Sequence, residues 1–138
     1  MTTARDIMHS GATCIGENDT LASAAQRMRD LDVGALPICG EDDRLHGILT
    51  DRDIVIKCVA EGADPQSTTA GEFAQGKPVT VDADAEVDSV LQAMEEHQIR
   101  RLPVLENRRL VGMISEADLA RSLPEETVGE FVEAICAR

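Results

Sequence analysis

The sequence predicts an α/β (α+β) protein built from two copies of one β-α-β-β-α unit, each with a small mixed sheet packed by helices. Three observations lead to this prediction. A shift of 66 positions aligns Ala4 with Ala70 and Met28 with Met94. Short apolar segments alternate with helical patterns in the same order in both copies. Polar turns rich in Gly, Asp and Asn separate these segments, as connections between strands and helices require.

The strands carry the clearest part of the repeat. Residues 36–38 align with residues 102–104, and both read hydrophobic-Pro-hydrophobic. After one residue is removed from the turn at 41–44 the shift becomes 65, and Asp53 falls on Asp118. A repeat of this length predicts one supersecondary unit per copy.

The predicted division of the chain has three parts. Residues 1–65 form the first repeat, residues 66–123 form the second, and residues 124–138 form a C-terminal helix. The boundary between the repeats falls in residues 62–65, a polar stretch whose Gly and Pro suit a linker.

Each copy opens with a short strand, at residues 13–15 and 79–81, followed by an Asp-rich turn that can cap a helix. The helix that follows has apolar residues at helical spacing, which form a stripe facing a core. These residues are Leu21, Ala24, Ala25 and Met28 in the first copy, and Val87, Val90, Leu91 and Met94 in the second.

Two apolar strands then pair as a hairpin in each copy: 35–39 with 46–50, and 102–105 with 110–115. They are apolar at nearly every position, which suits a small sheet covered on both faces. A second helix begins at Asp51 in the first copy and at Glu116 in the second.

The tail helix begins after Pro124 with two glutamates, a favourable start for a helix. Its apolar stripe consists of Val128, Phe131, Val132 and Ile135. The stripe leaves two alternatives open: the helix closes the core, or it packs against a second chain.

The charge balance opposes binding to nucleic acids and to anionic membranes. Thirteen basic residues stand against 26 acidic ones, for a net charge of −13, which repels phosphate backbones. The aromatic residues are Phe73 and Phe131, so stacking platforms for single strands are lacking. No apolar stretch approaches the ~20 residues of a membrane span, and we expect a cytoplasmic location.

In each copy, one motif of three spaced residues begins in the second hairpin strand and continues into the helix that follows. The motif is Gly47-x-x-Thr50-x-x-Asp53 in the first copy and Gly112-x-x-Ser115-x-x-Asp118 in the second. With the β-α-β-β-α order and the repeated hydrophobic-Pro-hydrophobic strand, these two motifs resemble the CBS domain family over most of the chain, from about Arg5 to Leu123. Within that family, residues 2–8 and 43–47 are similar to the stand-alone hypoxic response proteins of actinobacteria.

The resemblance implies two repeats related by a pseudo-twofold axis with two clefts between them, and a homodimeric assembly. It also implies an adenine nucleotide (AMP, ADP or ATP) or a related adenosyl compound as ligand, with no cofactor required. Such proteins are regulatory rather than catalytic. We expect no attached enzyme, channel or transporter, so that any signal would pass to a separate protein partner, which the sequence does not identify.

In the family, each cleft takes ribose and phosphate contacts from the Ser/Thr-x-x-Asp of one repeat and adenine contacts from the other. Carried onto this sequence, the first expected ligand site contains Thr50, Arg52, Asp53, Thr80, Val81, Ile99, Arg100 and Arg101. The second contains Thr13, Val33, Gly34, Ser115 and Asp118.

The chemistry of these residue types fits that assignment. A carboxylate at a helix start can accept hydrogen bonds from both ribose hydroxyls, which assigns that role to Asp53 and Asp118. Thr50 and Ser115 can donate to a phosphate near the first helical amides. The alternative is that both pairs only cap helices, since their spacing is that of a capping box.

Charge predicts that the two sites differ. Arg100 and Arg101 can neutralise phosphates at the site with Thr50, whereas the other site has no matching cation, and Ala117 stands where the first copy has Arg52. We therefore predict at most one strong nucleotide site per chain. The alternative is that the arginines pair with neighbouring acids, Glu95, Glu96 or Glu106.

The competing function is a ligand-free, dimeric interaction or stress-response protein, since no aromatic residue is available to stack on adenine. An enzyme is disfavoured because His9, His46 and His97 lie in unlike places and form no catalytic or metal-binding pattern. We interpret all three as ordinary polar residues and predict no metal ligands.

The four cysteines form no C-x-x-C pair. Cys14 and Cys39 lie on the first and second predicted strands of one repeat, which can bring their Cα atoms within the roughly 4.4–6.8 Å that a disulfide needs. The sequence leaves two alternatives for this pair. The two cysteines form a disulfide, or they stay reduced as thiols in a cytosol.

Overall fold

A computed structural model of the chain describes residues 2–10, 13–42, 44–74 and 78–136. It divides into two compact units. We call residues 13–78 the inner unit, and residues 1–12 with 79–138 the outer unit.

The helices and strands in chain order are α1 (Ala4–Ile7), β1 (His9–Ser10), β2 (Ile15–Gly16), α2 (Leu21–Leu31), β3 (Ala35–Cys39), β4 (Leu45–Thr50), α3 (Asp51–Asp53), β5 (Val81–Asp82), α4 (Val87–His97), β6 (Arg101–Glu106), β7 (Arg109–Ser115), α5 (Glu116–Ser122) and α6 (Glu125–Cys136). A π-helix over Ile54–Val59 continues α3, and a 3₁₀-helix spans Ala70–Phe73.

The inner unit has a three-stranded sheet in the order β2-β3-β4. β2 runs parallel to β3, and β3 runs antiparallel to β4. Its core joins this sheet to α2, the π-helix and the 3₁₀-helix through apolar side chains: Ile15, Leu21, Ala24, Met28, Leu36, Ile38, Leu49, Cys58 and Ala70. The Thr20 hydroxyl caps α2 by accepting from the Ser23 N–H over 3.1 Å.

The outer unit has a four-stranded sheet in the order β1-β7-β6-β5, with β5 and β6 parallel and the other pairs antiparallel. α4, α5 and α6 complete its core. Phe131 and Ile135 of α6 are 2% and 1% exposed within that core. Of the two alternatives left by the sequence, α6 therefore closes a core, although Val132 on the same helix stays 43% exposed.

Both sheets are mixed and small, and both are packed by helices, so the predicted fold class is confirmed. The second helices begin at Asp51 and Glu116 as predicted. The opening strands lie slightly later than predicted, at Ile15–Gly16 and Val81–Asp82. In the described part of the chain, no helix is both long and apolar enough to cross a membrane.

The compact units divide the chain differently from the sequence repeats. The Ala4 N–H donates to the Ala85 carbonyl over 2.8 Å, which ties the start of the chain to the second copy. At the aligned position, the Ala70 N–H donates to the Asp19 carbonyl over 2.8 Å. The opening segment of each copy therefore packs with the sheet and helices of the other copy. The repeat boundaries at 65 and 123 stay a prediction about the sequence.

Candidate functional site

The Thr50-x-x-Asp53 motif lies where β4 ends and α3 begins. The Thr50 N–H donates to Asp53 Oδ2 over 3.0 Å, and the Asp53 N–H donates to Thr50 Oγ1 over 3.0 Å. This reciprocal pair satisfies two backbone donors that a helix start would otherwise leave unpaired. Thr50 and Asp53 therefore do cap the helix, as one alternative predicted. The cap does not use all the hydrogen-bonding positions of the two side chains.

The Asp53 carboxylate retains hydrogen-bonding capacity. A carboxylate offers about four lone-pair positions. Among the described residues, Asp53 accepts the Thr50 N–H and lies 3.4 Å from Lys57 Nζ, and its side chain is 22% exposed. The Thr50 hydroxyl accepts one bond, and its own hydrogen is not donated to any described residue. The Arg52 guanidinium has no ion pair within the same part of the chain.

The Ser115-x-x-Asp118 motif has the same cap between β7 and α5. The Ser115 N–H donates to Asp118 Oδ2 over 2.9 Å, and the Asp118 N–H lies 3.4 Å from Ser115 Oγ. Here, however, the Ser115 hydroxyl also donates to Asp118 Oδ2, over 3.1 Å. The Ser115 hydroxyl hydrogen is therefore already donated, whereas the Thr50 hydroxyl hydrogen is donated to no residue that the structure describes.

Two further side chains contact the Asp118 carboxylate. His9 Nδ1 lies 2.7 Å from Oδ2, and an Arg121 guanidinium nitrogen lies 3.0 Å from Oδ1. The Asp118 side chain is 5% exposed. Burial raises the pKa of the Asp118 carboxyl, but the hydrogen bonds from His9 and Ser115 outweigh burial, so the pKa lies below the ordinary value of 3.8.

The two adjacent arginines have different surroundings. Arg100 donates to Glu116 over 2.7 Å and lies 3.8 Å from the Cys136 sulfur. It pairs with Glu116 rather than with the neighbouring acids named from the sequence. Arg101, at the start of β6, forms no ion pair with the residues described. Arg101 is therefore the freer of the two to meet an anion.

The remaining predicted residues lie in both units. Val81 and Ile99 pack against the core of the outer unit, and Thr80, which directly precedes Val81 in sequence, is half-buried. In the inner unit, the Gly34 carbonyl accepts the Asp51 N–H over 2.9 Å, and Val33 is 36% exposed.

Thr13 directly precedes Cys14 in the inner unit and is exposed. The predicted grouping of residues into two clefts joins residues of different units, and it stays a prediction.

Cys14 and Cys39 are bonded to each other in the structure, with Cα atoms 5.6 Å apart. The parallel pairing of β2 with β3 places them together, because Ile15 lies opposite Ile38 and Gly16 lies opposite Cys39. Of the other two cysteines, Cys58 is buried and Cys136 is exposed.

A cleft of about 510 Å³ lies beside this disulfide in the inner unit. Its lining is rich in acids: Glu17, Asp19, Glu41 and Asp42 surround His46, with Cys39 at one edge. His46 Nδ1 lies 2.5 Å from Glu17 Oε1. The Arg44 N–H lowers the pKa of the Asp42 carboxyl. Four carboxylates make this cleft unfavourable for phosphate.

Sequence reasoning missed the partners of the histidines. His9 was interpreted as an ordinary polar residue, yet it contacts Asp118 across 109 positions of sequence. No local pattern could have indicated this pair, since β1 is only two residues long. Arg121, in contrast, lies three positions after Asp118 on one helix, a spacing that does indicate an ion pair.

Comparison with known proteins defines the class of this chain. The family model described as "CBS domain" matches residues 4–59 and 70–125. The chain therefore belongs to the CBS domain family, and the resemblance inferred from its motifs is confirmed. CBS-domain proteins of this kind are regulatory rather than catalytic.

Within the family, the chain is 61% identical to Hypoxic response protein 1 of Mycobacterium tuberculosis over 137 residues, covering 99% of this chain and 96% of that protein. It is also similar to the crystal structure of Hypoxic Response Protein I with two coordinated zinc ions, with TM-score 0.79 and 62% identity over 89% of this chain and all of that one.

A more distant neighbour is the CBS domain pair of protein MJ0100 in complex with 5'-methylthioadenosine and S-adenosyl-L-methionine. Its TM-score is 0.78 at 29% identity, covering 88% of this chain and 94% of that one.

Proposed function

We propose that this chain is a regulatory sensor, not an enzyme, that binds one adenine nucleotide or adenosyl ligand per chain through Thr50 and Asp53. The observation that carries the proposal is the open carboxylate of Asp53 at the start of α3, with a 22% exposed side chain and lone pairs that no described residue uses. A ribose has two neighbouring hydroxyls that need such an acceptor. The adenosyl ligands bound by the MJ0100 domain pair support the ligand class.

The phosphate part of the proposal depends on residues near this carboxylate and on Arg101. The Thr50 hydroxyl keeps a hydrogen to donate, and the Arg52 guanidinium has no ion pair with the described residues. We include Arg101 because its charge is likewise uncommitted, whereas Arg100 is engaged by Glu116. A free guanidinium can bind a phosphate in bidentate fashion.

Titration calorimetry with AMP, ADP, ATP, NAD and S-adenosylmethionine tests the proposal. We expect one ligand per chain, with binding weakened at least about tenfold in both Asp53→Ala and Arg101→Ala, since a hydrogen bond to a charged group is worth roughly 1.5–3 kcal/mol. Asp88→Ala is the matched control for Asp53→Ala, and Arg109→Ala is the matched control for Arg101→Ala, because both residues are exposed and each control changes the net charge as its test variant does. No heat with any ligand, from a folded and nucleotide-free sample, would refute the sensor function.

A second candidate is a dimeric interaction or stress-response protein that binds no small ligand. One observation favours it: Val55, Ile56 and Val59 of the π-helix are 55%, 46% and 61% exposed. Apolar side chains clustered on one helical segment favour burial against another chain. We propose a homodimer through this surface, compatible with either candidate.

Sedimentation of the purified chain tests the dimer. Val59→Asp should convert a dimer to a monomer because it places a charge in an apolar contact. Val132→Asp, on the exposed side of α6, should leave the dimer intact. If Val132→Asp gives a monomer and Val59→Asp stays a dimer, the subunit contact lies on α6 instead.

Zinc is bound by the related Hypoxic Response Protein I, and the residues here can be tested against it. A structural zinc site needs four donors, usually Cys, His or carboxylate. No group of three such residues in the described ranges is placed to hold a metal ion. Zinc therefore does not fit those residues within one chain, and we propose no role for it.

The remaining parts of the proposal come from the sequence. We propose a cytoplasmic protein that acts through an unidentified protein partner. The net charge of −13 supports a role without nucleic acid or anionic membrane.

A further inference from the structure

The two Ser/Thr-x-x-Asp motifs of this chain are alike in sequence but differ in the donors that surround their carboxylates. Asp118 receives four donors: the Ser115 N–H, the Ser115 hydroxyl, His9 Nδ1 and Arg121. Three of these donors contact Oδ2 and one contacts Oδ1, against roughly two lone-pair positions on each oxygen. Among the contacts of the described residues, Asp118 therefore keeps at most one acceptor position, on Oδ1, which is too few for the two hydroxyls of a ribose.

Two of these four donors belong to the cap, and the other two are side chains that the first motif does not have. Under the shift of 65, Arg121 aligns with Ile56, which is apolar. Under the shift of 66, His9 aligns with Gln75, which carries no charge and lies outside the described residues. The His9 and Arg121 side chains that contact Asp118 are thus specific to the second motif.

The fold holds His9 at this position. β1 pairs antiparallel with β7, with His9 opposite Met113 and Ser10 opposite Gly112. β7 leads directly into the Ser115 cap, so the strand pairing fixes the His9 ring beside Asp118. Gly112 permits this approach, because a Cβ there would lie 2.8 Å from the His9 carbonyl oxygen and 2.5 Å from the Met8 sulfur.

We propose that His9 and Arg121 close the second motif and thereby restrict the chain to a single ligand. The two residues occupy the carboxylate positions that a ribose would use, so they determine which motif binds. His9 and Arg121 are in this sense specificity-determining residues. The inference rests on the proposed function, because it applies the same ribose chemistry to the second motif.

A gain of binding tests this inference. AMP is titrated calorimetrically into wild type, into His9→Ala/Arg121→Ile, and into the same variant with Asp118→Ala added. We expect the double variant to gain one AMP site per chain, which Asp118→Ala removes. His97→Ala/Arg109→Ala is the matched control, with an exposed histidine and an exposed arginine from the same unit, and should gain no site.

The outcomes separate this inference from the function on which it rests. If the wild type binds no AMP but the double variant gains an Asp118-dependent site, the closure is supported and the Thr50/Asp53 site is refuted. If the wild type binds once through Asp53 and the folded double variant gains nothing, the closure is overturned.

If the double variant does not fold, a second measurement still tests the closure. In the single variants His9→Ala and Arg121→Ile, we expect the ¹³C carboxyl resonance of Asp118 to shift when AMP is added, although it stays fixed in wild type. An unchanged resonance in both folded single variants would overturn the closure.

Discussion

Thr50 and Asp53 each satisfy the other's backbone: the Thr50 N–H donates to Asp53 Oδ2 and the Asp53 N–H donates to Thr50 Oγ1, both over 3.0 Å. The carboxylate proposed to bind ribose is therefore also a helix cap. A substitution that removes the whole carboxylate changes stability and binding together. Separating the two roles requires a variant that keeps the cap and loses the charge.

Asp53→Asn is that variant. Its side-chain oxygen can still accept the Thr50 N–H, so we expect the free energy of unfolding to fall by less than about 0.5 kcal/mol. For Asp53→Ala we expect a fall of about 1 kcal/mol, because it loses the bond from the Thr50 N–H, although it keeps the bond from the Asp53 N–H to Thr50 Oγ1. Ligand affinity should fall roughly 10- to 100-fold in both variants, because neutral acceptors bind hydroxyls more weakly than a carboxylate. Urea unfolding and titration calorimetry measure the two effects. Equal affinity in wild type and Asp53→Asn would show that Asp53 only caps the helix.

The disulfide between Cys14 and Cys39 makes the stability of the inner unit depend on redox conditions. The two residues are 25 positions apart, and closing a loop of that length stabilises a fold by about 3 kcal/mol. We expect a reductant to lower the melting temperature of an oxidised sample. The variant Cys14→Ser/Cys39→Ser should be insensitive to reductant.

Thiol titration provides the independent check on this bond. A denatured, oxidised sample should show the thiols of Cys58 and Cys136 alone, and all four cysteines should react after reduction. The same count before and after reduction would contradict the disulfide. In a reducing cytosol the bond would be open, so this prediction concerns the purified, oxidised protein.

The sequence predicted the local features of the fold well. Leu21, Ala24 and Met28 are buried as expected, and so are Val90 and Met94, because amphipathic periodicity is a property of each segment. Ala25 is exposed, contrary to its predicted place in the first stripe, and Val87 and Leu91 are only partly buried. The second helices begin at Asp51 and Glu116 because the cap residues just before them are recognisable in sequence.

Long-range features were not predictable in the same way. The exchange of opening segments depends on bonds such as Ala4 to Ala85, which have no local signal. The pairing of His9 with Asp118 was not predicted either, because it also has no local signal in the sequence. The candidate site was therefore predicted as a set of motifs, whereas the difference between its two carboxylates depends on contacts that only the fold creates.

The packing of α6 predicts a contrast between two adjacent residues. Phe131 is 2% exposed in the core of the outer unit, and Val132 is 43% exposed. Phe131→Ala should lower the free energy of unfolding by about 3–5 kcal/mol because it leaves a large cavity. Val132→Ala should change it by less than about 0.5 kcal/mol. Similar values for the two variants in urea unfolding would contradict a core position for α6.

The lowered pKa of Asp118 predicts an acid-dependent loss of stability in the outer unit. A carboxyl whose pKa is lower in the folded state than its ordinary value of 3.8 stabilises the fold at pH values above that ordinary value. This contribution disappears as the pH falls through the folded-state pKa. At pH 6 we expect Asp118→Asn to be less stable than wild type by roughly 1.5–3 kcal/mol, the value of hydrogen bonds to a buried charged group.

The difference between wild type and Asp118→Asn should narrow steadily below about pH 4, because protonation removes the charge from the wild-type side chain. Urea unfolding at a series of pH values from 6 to about 2.5 measures this difference. Asp6 and Asp42 also have lowered pKa values and contribute to the acid response of both proteins, so the comparison uses the difference between variants. Asp88→Asn, at an exposed position on α4, is the control and should run parallel to wild type. A stability gap for Asp118→Asn that stays constant down to pH 2.5 would mean that its hydrogen bonds do not depend on the ionised carboxylate.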